Sequence, residues 1–289
     1  CKAVSATGCS STKLYPGIGR RCTYFEPQHK TIYPMNSDTL ISPYCGKLTQ
    51  LLVDPASRQD LFNFASTLRS VQLSQRQTCD LELLAVGAFS PLKTFMNAAD
   101  FNRVVDEMRL ADGTIFPMPV TLPVSSLENI SIGSQIALRD QKNDLLAVLD
   151  IEEIFEWDHK DVAKKVLGTN DPRHPLVSEM ARWGRFNLSG QLQVLALPVY
   201  HDFKELRLTP METRAKLSSM GNPRIAAFQT RNPIHYAHET MTRRAIEKID
   251  GTLLLHPVVG MTKEGDIDYF TRVRIYKLIS SLAFEPGRV

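Results

Sequence analysis

The sequence predicts an α/β protein in two parts: a mixed, β-rich region over its first two thirds and a parallel strand–helix–strand unit near its end. Three observations carry that reading. The 289-residue length is about twice the roughly 150 residues of a common domain. From Thr114 to Leu149 short apolar runs are broken by Pro117, Pro119 and Pro123, the texture of short strands joined by turns. From Arg224 to Val259 two apolar strands flank one helical stretch within ~35 residues, which demands a parallel pairing with a crossover helix.

Composition narrows the class. With 43% hydrophobic and 22% charged residues the chain sits near the globular average, which argues against disorder, collagen and coiled coil. The net charge is only +3 and no long like-charge run is present, so neither a nucleic-acid partner nor a membrane surface is expected. Apolar stretches such as Leu83 to Phe89 are far short of the ~20 residues that span a bilayer. The five cysteines, Cys1, Cys9, Cys22, Cys45 and Cys79, form no Cys-x-x-Cys pair, which points to reduced thiols and a reducing compartment. Cys1 to Arg21 is rich in Ser, Gly, Thr and basic residues and lacks Asp and Glu. A disordered leader is expected over residues 1–24, with the remnant of a transit peptide as the other reading; the cytoplasm is the expected location and a plastid the alternative.

Local signals then set the elements in order. Behind Asp54-Pro55, the positions of Leu61, Phe62, Phe64, Ala65 and Leu68 give a helix over Arg58 to Leu68. Ser74 with Gln77 three residues on is a capping box for a second helix through Leu81 and Leu84. Asn97 opens a third, whose Phe101, Val104, Val105 and Met108 form one buried stripe. Gln135 to Leu138 and Leu145 to Asp150 read as strands around an Asp140 to Asn143 turn. Asp158 to Leu167 reads as a helix stopped by Gly168, followed by a polar loop at Thr169 to His174 and a strand at Val194 to Pro198. Thr209-Pro210-Met211-Glu212 combines an N-cap, Pro at the first helical position and a capping-box Glu, and Gly221 closes that helix. Arg224 to Thr230 is a strand, about Pro233 to Ile249 a helix, and Thr252 to Val259 a second strand. A last helix starts near Asp268 and is expected to bury Ile275, Leu278, Ile279 and Leu282.

In an open α/β sheet a ligand sits beyond the carboxyl ends of the strands, against helix N-termini whose free N–H groups attract anions. Gln229-Thr230-Arg231-Asn232-Pro233-Ile234-His235-Tyr236-Ala237-His238 occupies that place. With Asn232 as cap and Pro233 first in the helix, His235 and His238 fall on one face of the opening turns. Arg231 adds a planar fork suited to phosphate or sulfate, and Gln229 and Thr230 add neutral donors. Two histidines three apart are often plain surface residues; here the adjoining Arg, Asn and strand-to-helix turn give them a common task. Zinc fits less well, because the pair lacks a third ligand and a His-Glu-x-x-His spacing. His256 and Lys263 sit in the stretch that ends the next strand, and Arg272 and Arg274 could add charge; taken singly, each basic residue reads as a solvated surface charge. Asp266 and Asp268 are candidate metal ligands, although Asp268 is also a natural helix cap.

Gln229 to His238 resembles the Gln-Thr-Arg-Asn-Pro-x-His-x-x-His motif of the ATP sulfurylase (sulfate adenylyltransferase) family, in its bacterial and fungal style. His256 to Lys263 resembles that family's second block, His-Pro-Val-Val-Gly-Met-Thr-Lys. Gln77 to Glu82, Phe89 to Leu92, Phe95 to Asn97, Met108 to Met118 and Asp202 to Pro210 agree as well, so the resemblance runs from about Ile41 onward. It implies a PUA-like domain over 25–205 and the first part of a Rossmann-like nucleotidyltransferase domain over 206–289. It also implies joining of ATP and sulfate into adenosine 5'-phosphosulfate with release of pyrophosphate. Gln229 and Arg231 would contact sulfate, Gln229 to Asn232 with His235 and His238 would bind ATP, and Thr230, Arg231 and Asn232 would be catalytic, with His235 and His238 stabilising the transition state. Magnesium would arrive on the ATP phosphates, with no protein-bound metal. A homo-oligomer and an adenylylsulfate kinase, separate or fused, are the implied partners. Tyr236, Ala88 and Lys93-Thr94 depart from the usual pattern without striking a proposed contact. The family's next ATP- and sulfate-binding loop, of Gly-Arg-Asp-His type, would follow the last helix, whereas this sequence stops at Val289; the nucleotide site is therefore expected to be incomplete. Two other readings follow: a catalytically incomplete member serving in binding or oligomerisation, and a different adenylyltransferase with a His-x-x-His motif, against which the second block weighs.

Overall fold

The computed structural model describes residues 39–259 and 265–289; the expected leader over 1–24 and the candidate Lys263 lie outside them. Helix α1 (Pro55–Ala65), strand β1 (Arg69–Gln72), helices α2 (Gln75–Ala85) and α3 (Ala98–Glu107) and strands β2 (Leu122–Val124), β3 (Gln135–Arg139) and β4 (Leu145–Glu156) come first. Helices α4 (His159–Leu167) and α5 (Pro175–Met180) then lead to strand β5 (Phe186–Val194). The five strands form one sheet in the order β1-β3-β4-β5-β2, with β1 parallel to β3 and the other pairs antiparallel.

Cap chemistry starts these helices where the sequence placed it. Asp54 accepts from the Ala56 N–H at 2.8 Å, and Asn97 from the Asp100 N–H at 2.8 Å. The Ser74–Gln77 box is closed on both sides, at 2.7 and 3.2 Å, and Gln77 Nε2 also donates to the buried Pro123 carbonyl at 2.8 Å. Ser74→Ala should therefore cost about 1 kcal/mol, read as a lowered urea midpoint with an unchanged slope. Gly168 stops α4 in the left-handed region at φ 72°, where a side chain would be strained.

The core lies on both faces of the central strands. Phe95, Met96, Leu138, Leu146, Leu149, Ile151 and Leu188 are fully buried on one side. Ala137, Leu145 and Val148 pack on the other beneath Leu61 and Ala65 of α1. Burial on two faces explains why Leu145 to Leu149 reads as a continuous apolar run without alternation.

Three expectations need correction here. Met108 is not in the α3 stripe: it is the left-handed C-cap residue and 59% exposed. The strand expected at Val194 to Pro198 lies earlier, over β5, where buried Asn187, Ser189 and Gly190 interrupt the apolar signal. Ser189 Oγ is satisfied by the Phe95 carbonyl at 2.7 Å, a tertiary bond that no local pattern announces. Strand β4 also runs on to Glu156, past Asp150. Cys45 and Cys79 carry free thiols.

Beyond β5 come helix α6 (Pro210–Ser219), strand β6 (Ile225–Thr230), helix α7 (Tyr236–Ile249), strand β7 (Thr252–Pro257) and helix α8 (Tyr269–Ala283). Strands β6 and β7 are parallel neighbours joined through α7, as the sequence requires. Between β5 and α6, the Tyr200 hydroxyl donates to Glu82 Oε2 of α2 at 2.6 Å. The Arg207 guanidinium lies 4.0 Å over the Tyr200 ring and pairs with Asp202 at 2.9 Å. Burial, and then the bond to Glu82, hold the Tyr200 phenol well above its ordinary range. The folded state thus keeps a proton that the unfolded chain releases near pH 10, so this contribution is intact below that pH and is lost as pH rises through the folded value. Urea unfolding at about pH 9 and pH 11 should show an alkaline loss of stability that shrinks in Tyr200→Phe.

Candidate nucleotide and anion site

The end of β6 leads through residues 231–235 into α7, and this turn does not follow the expected helix start. The backbone N–H of Glu239 donates to the His235 carbonyl at 3.0 Å, so His235, not Asn232, is the N-cap and Pro233 lies outside the helix. The reason is non-local. An N-cap carbonyl accepts the first intrahelical bond, but the Asn232 carbonyl is taken by the Tyr276 hydroxyl of α8, and the Arg231 carbonyl by Arg272 Nη1. Thr230 Oγ1 closes the turn by accepting from the Asn232 N–H at 3.1 Å, and Ile234 is buried beneath it.

Although the helix begins later, the two histidines still meet. As N-cap and third helical residue, His235 and His238 stack with ring centroids 3.8 Å apart and planes 29° from parallel. His238 also rests against Phe228, centroids 5.3 Å apart, and among the described residues its buried Nδ1 has no hydrogen-bond partner. The His235 side chain makes no cap bond, so the N–H groups of Tyr236, Ala237 and His238 open the helix without a side-chain acceptor. That is the arrangement that attracts anions.

Arg231 has a side chain 52% exposed, and its Nε lies 3.8 Å from Asp266 Oδ2. The pairing is loose and leaves most of the guanidinium available. Gln229 and His256 are register partners across β6 and β7 and both are exposed. The structure thus brings Thr230, Arg231, Asn232, His235 and His238 into one turn, with Gln229 and His256 side by side at the strand ends. Asp268 is spent as the cap of α8, accepting from the Thr271 N–H at 2.9 Å. Among the described residues no group of three or more His, Cys, Asp or Glu side chains could hold a metal ion.

Helix α8 departs most from expectation. Leu278 and Leu282 are 56% and 74% exposed, and the buried residues are Arg272, Val273 and Tyr276. Arg272 is therefore not a solvated surface charge. The signal that could have located this face is the i, i+4 spacing of Arg272 and Tyr276 beside Val273. Burial lifts the Tyr276 phenol above its ordinary range, which keeps it a donor.

Residues 41–197 match the model of a PUA-like domain, and residues 204–289 match that of ATP-sulfurylase. Proteins named sulfate adenylyltransferase from Mycosarcoma maydis, Chaetomium globosum and Aspergillus terreus are 42%, 44% and 44% identical to this chain over 82% of its length. The matched stretch is only 42%, 43% and 42% of those proteins, so the chain spans less than half the length of the curated relatives it matches. A solved structure titled "Hexameric APS kinase from Thiobacillus denitrificans" superposes with a TM-score of 0.70 at 33% identity, covering 86% of this chain and 45% of that one. No helix among the described residues is long and apolar enough to cross a membrane. From the two matched models in tandem and this level of identity, the chain belongs to the ATP sulfurylase family.

Proposed function

We propose that the protein is a sulfate adenylyltransferase, forming adenosine 5'-phosphosulfate and pyrophosphate from ATP and sulfate. The observation that carries this is the turn from Thr230 to His238, which holds a loosely tethered arginine, two stacked imidazoles and the N-terminus of α7 without a side-chain cap. An oxygen of sulfate attacks the α-phosphorus, the bond from that phosphorus to the β-phosphate oxygen breaks, and pyrophosphate leaves. Sulfate is a weak nucleophile and both reactants are anions, so the protein's task is to align them and offset charge; no covalent nucleophile is needed.

In this reading Arg231 leaves Asp266 for sulfate, as a planar fork suited to tetrahedral oxyanions, and the Gln229 amide adds a donor at the strand end. Thr230 and Asn232 fix the turn, while His235 and His238 face the leaving phosphates with the α7 N–H groups. His256 is a secondary contact beside Gln229, as is Lys263 in the residues that follow β7. Magnesium bound to the ATP phosphates would supply charge neutralisation there; Asp268 is held as the α8 cap, and we assign the metal no protein ligand.

The domain boundary in this proposal is 205/206, close to the start of the second matched stretch at residue 204. A homo-oligomer is part of it, since the superposed neighbour is titled hexameric. So are a consuming adenylylsulfate kinase, because the product is a high-energy mixed anhydride, and a cytoplasmic location, which suits the free thiols of Cys45 and Cys79. The test is release of pyrophosphate from ATP by this polypeptide with magnesium and pyrophosphatase. Release that rises with sulfate is expected. Release indifferent to sulfate would contradict the reaction, and no release would confine the chain to a binding or oligomerisation role.

A further inference from the structure

A buried cation normally has a carboxylate or a full set of hydrogen bonds, because removing it from water costs several kcal/mol. Arg272 has neither. It is 2% exposed; among the described residues only its Nη1 is bonded, to the Arg231 carbonyl, and its buried Nε has no partner. It forms no ion pair among the described residues; Asp268, one turn earlier, is within electrostatic reach but its Oδ1 is held by the Thr271 N–H. One turn later on the same face, Tyr276 holds the next carbonyl, that of Asn232. Two successive rungs of α8 therefore grip two successive carbonyls of the anion-binding turn.

We propose that Arg272 is a positioning residue with an electrostatic role: with Tyr276 it sets the backbone from which Arg231 projects, and its unpaired buried charge is completed by the anion bound on the other side of that turn. This rests on the reading of the turn as an anion seat. A structural cation would carry a paired counter-charge; among the described residues Arg272 has no ion-pair partner, and in this reading the bound anion supplies one. In the poorly screened interior behind the turn, a positive charge acts on that ligand without touching it.

The test pairs two readouts on the 289-residue chain. Calorimetric titration with inorganic pyrophosphate should show Arg272→Met weakening binding about tenfold, Arg272→Lys recovering most of the loss because it keeps the charge, and Arg274→Met, two residues away and exposed, changing nothing. Amide hydrogen exchange without ligand should be faster at Asn232 and its neighbours in Arg272→Met and Tyr276→Phe than in the parent. A folded Arg272→Met that binds pyrophosphate like the parent, or a Lys variant that loses as much as Met, overturns the proposal. If Arg272→Met does not fold, Arg272→Lys and Tyr276→Phe carry the comparison: near-parental affinity in the first and faster exchange in the second support it, and the reverse overturns it. If the parent itself does not bind pyrophosphate, the reading of the turn as a nucleotide site fails; the positioning half then stands or falls on exchange alone.

Discussion

Arg231→Ala is expected to lower sulfate-dependent pyrophosphate release by about 10²–10³-fold, or ~3–4 kcal/mol of transition-state stabilisation. The size follows from what the side chain touches. Among the described residues its one ion pair is the 3.8 Å approach to Asp266, and the side chain is half exposed, so the fold invests little in it and truncation should leave the urea midpoint almost unchanged. The backbone of the same residue is another matter: its carbonyl bond to Arg272 survives the change to Ala, so the turn persists. Losing rate without losing stability separates a group that acts on substrate from one that holds the fold. A variant with near-normal turnover would remove Arg231 from the mechanism.

Gly190→Ala is expected to cost about 3 kcal/mol of stability. Gly190 pairs with Ile151 beside a bulge in β4 that lies between Ile151 and Glu153. A Cβ there would stand 1.8 Å from the Asp150 carbonyl oxygen and 2.7 Å from the Glu152 N–H nitrogen. Both are backbone atoms of the sheet's central pairing, so neither can swing aside as a side-chain tip could. Relief requires parting β4 from β5 at the centre of the core. Chemical denaturation should show the loss directly; a midpoint within error of the parent would mean that the bulge yields.

What could be read in advance divides along the range of the forces. Caps are local, and Asp54, Ser74 with Gln77, Asn97, Asp158, Thr209 with Glu212, and Asp268 each start a helix where the sequence placed it. Strand β5 was hidden because Asn187 and Ser189 occupy buried positions in it; a period-two reading of Leu188, Gly190, Leu192 and Val194 was the available signal. Strand β1, with only Val71 apolar among its four residues, owes its existence to pairing with β3. In the site, residue types and spacing announced the His235–His238 pair. The delayed start of α7 was not legible, because it depends on Arg272 and Tyr276 arriving from some forty residues downstream.

The central claim is that the β6–α7 turn is where this protein binds phosphate-bearing anions. The most direct measurement is a titration of the isotopically labelled chain with magnesium pyrophosphate, followed by amide and imidazole NMR shifts. The perturbed resonances should cluster at residues 229–238 and around His256, and should be lost in Arg231→Ala. Shifts centred instead on the polar cleft of about 380 Å³ lined by Arg76, Gln77, Arg182 and Trp183, with the turn silent, would contradict that claim.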